Sequence, residues 1–209
     1  MEHRFLYHIS HYQNLPSILG CRGLSAYLKV LRQHAEYINI AHKGLQDRRS
    51  TTEIPVEPFG CLHDYVPFYF ATRSPMLYAI KNGRVVGFEG NQNDIVYLVT
   101  KTDKIVSAEL DFVFTDGHAI MNFTDFYNDL KDIDKIDWDI MKEHYWNDTK
   151  EDPDRKRRRQ AEFLVHQFID LNCLLGLGVR NERMKVVIEE ILKEYEVDLP
   201  VLVKPSFYF

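Results

Sequence analysis

Short apolar runs, more than long amphipathic stripes, set the pattern of this chain. FLYHIS (5–10), DIVYLVT (94–100), LDFVFT (110–115), AEFLVHQ (161–167) and LLGLGV (174–179) each predict a buried strand. GCLHDYVPFYF (60–70) leads into another strand ending near Phe70, and VLVKP (201–205) predicts a last short one. Helical spacing is clearest in ERMKVVIEEILKEYE, where Met184, Val187, Ile188, Ile191, Leu192 and Tyr195 share a face. Ser74 and Pro75 form a strong helix start, an N-cap followed by proline at the first helical position. QNLPSILG (13–20) reads as a short helix with Asn14 as N-cap and Gly20 near its stop.

Three stretches fit less cleanly. Residues 27–49 lack an apolar stripe and predict a partly irregular covering segment. NFTDFYNDLKDI (122–133) predicts an amphipathic helix, followed by a long polar connection to Asp154. Strands and helices mix without regular β–α alternation, so the pattern predicts an α+β fold. No repeat, low-complexity tract or linker interrupts the 209 residues, and one domain spanning 1–209 is the economical reading.

Composition supports a folded chain: 45% of residues are hydrophobic and 13% aromatic, enough for a sizeable core. No run approaches the roughly 18 apolar residues a membrane span needs, and MEHRFLYHIS shows no secretory h-region. Cys21, Cys61 and Cys173 lack C-x-x-C spacing, which points to a reducing cytoplasm and away from structural zinc. The formal net charge of −5 argues against nucleic acid until its distribution is considered. Acids crowd residues 125–154, whereas cations gather at Arg48, Arg49, Arg73 and in the run Arg155–Arg159.

That basic run ends beside one carboxylate, Glu162, at the head of an apolar strand. Read alone, Glu162 is either an acid neutralised by its arginine neighbours or a working carboxylate. His8 and His11 lie three apart on a strand and turn, a poor geometry for one metal, and no metal is expected. No G-x-S-x-G or Walker sequence occurs, and GLGV at 176–179 lacks the helix that a dinucleotide fingerprint requires.

Three separated segments make sense together: Tyr7-His8-Ile9-Ser10, Tyr69-Phe70-Ala71 leading to Tyr78, and Ala161-Glu162-Phe163. They resemble the His–Tyr–Glu pattern of ADP-ribosyltransferases. HISHYQNL (8–15), LQDRR (45–49), LHDYVPFYF with RSPMLYAI (62–80), FVFTDGH (112–118) and QAEFLV (160–165) narrow the resemblance to the DarT family. That resemblance covers essentially the whole chain. It implies two packed, mainly antiparallel sheets clasping NAD in a cleft, with peripheral helices. It also implies transfer of ADP-ribose from NAD to a base of single-stranded DNA, thymidine at N3 in particular, with NAD as co-substrate. A cytoplasmic, monomeric toxin restrained by a macrodomain antitoxin of the DarG kind completes the expectation. Transfer to guanine, RNA or protein, or a silent binding module, are the alternatives.

Carried onto this chain, the resemblance makes Glu162 and Arg49 catalytic. It assigns His8, Ser10, Asn14, Tyr69, Met76 and Tyr78, with Arg49, to NAD. It sets His118, Arg155, Lys156, Arg157 and Arg158 against DNA. Several have plainer readings: His8 as a core histidine, Asn14 as a helix cap, Arg48 as a surface cation, and the basic run as a balance for the acids before it.

Overall fold

In the computed structural model, which describes residues 3–32 and 37–209, ten strands and eight α-helices follow one another with short 3-10 turns between them. The chain opens with β1 (Phe5–His11), α1 (Leu15–Gly20), β2 (Gly23–Ser25) and α2 (Tyr27–Arg32). Next come α3 (Lys43–Thr51), β3 (Tyr65–Tyr69), α4 (Pro75–Lys81), β4 (Ile95–Lys101) and α5 (Thr102–Ser107). The middle contains β5 (Phe112–Thr115), β6 (Phe126–Tyr127), α6 (Trp138–Lys142) and α7 (Arg155–Arg158). Finally β7 (Glu162–His166), β8 (Phe168–Asp170), β9 (Gly176–Val179), α8 (Glu182–Glu194) and β10 (Val201–Val203) close the fold.

Eight strands form one sheet in the order β10-β9-β4-β1-β3-β7-β5-β6, and β2 pairs with β8 in a small second sheet. All pairings are antiparallel except β9 with β10. The large sheet is two four-stranded halves. β1 and β4 share seven register pairs and β3 and β7 share five, but β1 meets β3 only at Tyr7↔Tyr69. Pro67 explains part of this seam. It has no N–H to donate, and its carbonyl accepts from the imidazole Nδ1 of His8 at 2.8 Å.

Central strands are covered on both faces, which is why they read as continuous apolar runs. Phe163 and Val165 of β7 enter the main core with Phe68, Phe114 and Leu6, while Leu164 turns to a separate cluster with Tyr65 and Val113. β4 alternates likewise: Val96 and Leu98 join the main core, and Ile95 and Tyr97 pack with Leu77 and Ile80 of α4. α8 closes the main core through Ile188 and Leu192.

The covering segment at 27–49 contains two helices, α2 and α3, with residues 33–36 outside the described residues. The helix expected over 122–133 is instead the two-residue β6 followed by a 3-10 turn at Leu130–Lys135. Phe114 stacks on Tyr127 at 5.4 Å between centroids, and Asp129 accepts from the Lys131 amide, so sheet pairing and a local cap override the helical spacing. Within the polar connection that follows, α6 is capped by Asp137, which accepts from the Asp139 and Ile140 amides. Among the described residues, no helix is long and apolar enough to cross a membrane.

Candidate active site

Glu162 is the first residue of β7 and is 3% exposed. The register aligns Tyr7, Tyr69 and Glu162 in one row across β1, β3 and β7, at the single point where the sheet halves meet. The Glu162 amide donates to the Thr115 hydroxyl at 3.0 Å, which pins the strand end to β5. Its carboxylate accepts from Arg49 Nη1 at 2.8 Å through Oε2 and from the Ala119 amide at 3.3 Å through Oε1. Arg49 projects from the last turn of α3, and its Nη2 is buried with no hydrogen-bond partner among the described residues. A buried guanidinium nitrogen without an acceptor is costly, so this donor is suited to an incoming oxygen.

Both groups line a cavity of about 650 Å³. Its base includes His8, Pro67, Tyr69 and Glu162, one wall is α4 with Met76 and Tyr78, and His118 lies on the loop after β5. Tyr78 is held edge-on against Trp146 and Phe209, at 6.0 and 5.2 Å between centroids. Burial, reinforced by the neighbouring Glu162 charge, raises the Tyr69 phenol and keeps it protonated. Burial also lowers His8 and His118. For His118 the pull of Glu162 is opposed by Arg49, Arg48 and Lys156, so a neutral imidazole faces the cavity at pH 7.

Ser10 and Asn14 line a smaller adjoining cavity of about 110 Å³, with Tyr27, His63 and Arg49. Asn14 does not cap α1 with its side chain. Its amide nitrogen donates to Ser10 Oγ and to the Ile38 carbonyl, and its Oδ1 accepts from the Ile38 amide. With both amide hydrogens committed, Asn14 ties Ser10 of β1 to the segment at Ile38 beside the cavity.

The basic run divides by partner. Arg157 lines the cavity, but its Nε and Nη2 donate to Asp154 at 2.8 Å and its Nη1 to Asp116 at 3.0 Å. Arg158 is tied to Asp137 and Asp152 and lies off the cavity lining. Arg155 donates to the Tyr145 carbonyl and also lies off the lining. Arg159 is 6% exposed, bound to the carbonyls of Met141 and Thr72, and burial lowers it to about 10. Arg157 and Arg158 are thus paired with acids, whereas Lys156 is exposed on the cavity lining.

Several contributors have little sequence signal. Arg48 donates to the Ile120 carbonyl at 2.9 Å and ties α3 to the His118 loop, so it is more than a surface cation. His63 Nε2 lies 2.9 Å from Gln46 Oε1 beside Arg49, and Trp146 lines the wall. Gly117 lies in close approach to Arg157: a Cβ there would sit 2.2 Å from Arg157 Nη1 and force that side chain to shift. Among the described residues, no group of three or more His, Cys, Asp or Glu side chains is placed to hold a metal ion.

The family model described as "ssDNA thymidine ADP-ribosyltransferase, DarT" matches residues 7–209. A DNA ADP-ribosyl transferase of Thermus aquaticus is 37% identical over 207 residues, 98% of this chain and 88% of that protein. The structure of Thermus sp. 2.9 DarT in complex with ADP-ribosylated ssDNA superposes with a TM-score of 0.91 at 34% identity, covering 99% of this chain and 96% of the other. The same protein in complex with NAD+ gives 0.88 at 33% identity, covering 99% and 98%. A DNA ADP-ribosyl transferase–DNA ADP-ribosyl glycohydrolase fusion protein of Thermosipho africanus is 26% identical over 211 residues, 99% of this chain and 50% of the fusion.

Proposed function

Because the chain belongs to the DarT family, we propose that it is one catalytic domain that transfers ADP-ribose from NAD to thymidine in single-stranded DNA and releases nicotinamide. The observation that carries this reading is the Arg49–Glu162 pair at the seam of the sheet halves, with one Arg49 nitrogen unpartnered among the described residues. In the reaction the bond from ribose C1′ to nicotinamide breaks, a bond from C1′ to the base nitrogen forms, and the base loses one proton. Glu162 faces the positive charge that develops on the ribose and stabilises it electrostatically. The same carboxylate accepts the proton from the base nitrogen, N3 of thymine. Arg49 holds Glu162 in place through Nη1 and offers Nη2 to a diphosphate or base oxygen. His8, its Nδ1 against the Pro67 carbonyl, presents Nε2 as a neutral acceptor for a ribose hydroxyl. Tyr69, Met76 and Tyr78 form the apolar wall for NAD, and His118 meets the DNA.

The thymine N3–H is paired in a duplex, which favours an unpaired strand as substrate. Modified template bases would block replication, so we read the chain as a cytoplasmic, monomeric toxin whose partner is a macrodomain that removes the ADP-ribose. The fusion of both activities in the Thermosipho relative supports that pairing.

Incubation with labelled NAD and a thymine-containing oligonucleotide tests the reading. Mass spectrometry should find one ADP-ribose on thymine in the single strand and none after annealing to the complement. Labelling of a thymine-free, guanine-containing strand would move the target to guanine. Label on RNA or protein alone would replace the DNA reading.

A further inference from the structure

We infer that Phe123 is a base-stacking platform at the mouth of the cleft, holding a nucleotide that neighbours the modified one. This rests on the reading of single-stranded DNA as substrate. Phe123 is 62% exposed and lines the same cavity as Glu162 and Arg49. Single exposed aromatics are ordinary on protein surfaces, so its surroundings decide the matter. The Arg157 guanidinium lies 5.1 Å from the Phe123 ring centroid, and among the described residues no other aromatic ring packs against it. The other exposed rings on the lining differ: Tyr78 has edge contacts with Trp146 and Phe209, and Tyr37 with Tyr27.

The backing is rigid. Arg157 is fixed by Asp154 and Asp116, and Arg157 Nη1 also reaches the Thr124 hydroxyl at 3.4 Å. Thr124 Oγ donates to the His118 carbonyl, and the His118 amide donates to the Arg157 carbonyl at 3.0 Å. Thus Arg157 holds both the loop that carries His118 and the ring at its tip. A charge already neutralised by two acids makes a poor phosphate ligand but a good fixed support for an aromatic ring. An exposed ring with one backed face stacks with a planar base, and every base has such a face, so the contact adds affinity without reading sequence.

The test combines protein variants with altered oligonucleotides. Phe123→Ala should raise KM for a thymine-containing single strand by about tenfold and leave KM for NAD in slow NAD hydrolysis unchanged. Phe123→Trp should restore the wild-type value. Abasic sites placed singly along the strand should reveal one flanking position that matters to the wild type and no longer matters to Phe123→Ala. An unchanged KM for DNA, or an abasic profile identical in both proteins, would overturn the proposal. So would a higher KM for NAD, which would assign the ring to the co-substrate. Wild-type protein that modifies no DNA would instead defeat the underlying reading, and the stacking proposal with it.

Discussion

Arg49 and Arg157 both meet carboxylates at the wall of one cleft, yet the two groups are built differently. Arg157 has two acids, Asp116 and Asp154, and further donates to Thr124. Its neighbour Arg158 is surrounded by Asp137, Asp152 and Asp154. The bonds that Arg157 donates to Asp154, with Asp116 behind, raise Arg157 further, and the bond from Arg158 lowers Asp152. Arg49, by contrast, has among the described residues one carboxylate and one buried nitrogen with no acceptor, and Glu162 has one short bond and one longer contact. Saturated pairs hold structure. A pair that keeps donor and acceptor capacity beside a cavity can still meet a ligand.

Breaking each side should therefore give opposite results. Glu162→Gln should lower DNA modification by about 10³-fold with little change in thermal midpoint, because the amide oxygen still accepts from Arg49. A mass-spectrometric rate beside a melting curve checks both halves, and substantial residual transfer would erase the distinction. Arg49→Ala should cost about 10²-fold and Arg49→Lys should restore little, since one ammonium cannot serve two directions as a guanidinium does. Arg48→Ala, which loses a single bond to the Ile120 carbonyl, should cost about tenfold at most.

On the saturated side, Arg158→Gln should reduce stability by about 1–2 kcal/mol, seen as a melting shift of roughly 2–8 °C. The slope of DNA modification against salt should stay as in the wild type, because these charges already have partners. A flattened slope would return Arg158 to the DNA contacts.

The smallest expected effect concerns pH. Burial lowers His8, although its bond to the Pro67 carbonyl opposes this, so the folded chain resists protonation. Above pH 6.5 both folded and unfolded forms hold a neutral ring and no difference arises. As pH falls below 6.5 the unfolded chain binds the proton first, and stability declines until the folded His8 also titrates. Melting curves from pH 7.5 to 5 should show this loss, and His8→Gln should reduce its slope. His11, His63 and His118 are lowered too and share the effect, so a residual slope is expected in the variant.

The parts of this comparison differed in legibility. β1, β4, β7 and α8 were readable because a strand buried on both faces needs an unbroken apolar run and a helix on a core needs a stripe. Glu162 stood out as an acid between a basic run and an apolar strand, but Asp94 and Asp111 also head apolar runs, and the resemblance singled Glu162 out. α3, the helix that carries Arg49, has no apolar stripe; Leu45 is its sole large aliphatic residue, and only the resemblance of QDRR pointed to its arginine. The pairing of the basic run was not legible, because proximity in sequence to Glu162 says nothing of direction. Its acidic partners Asp116 and Asp137 lie 41 and 21 positions away and are brought in by the fold.

The distance along the chain between Arg49 and Glu162, 113 positions, bears on the protein's own synthesis. A ribosome delivers the N-terminal part first, at about 5–20 residues per second. β3 lies between β1 and β7 in the finished sheet, so its second neighbour arrives only when residues 162–166 have emerged. A nascent fragment ending before them has Arg49, the seam histidine His8 and much of the cavity lining, but not Glu162. Translation thus keeps the two halves of the pair apart in time.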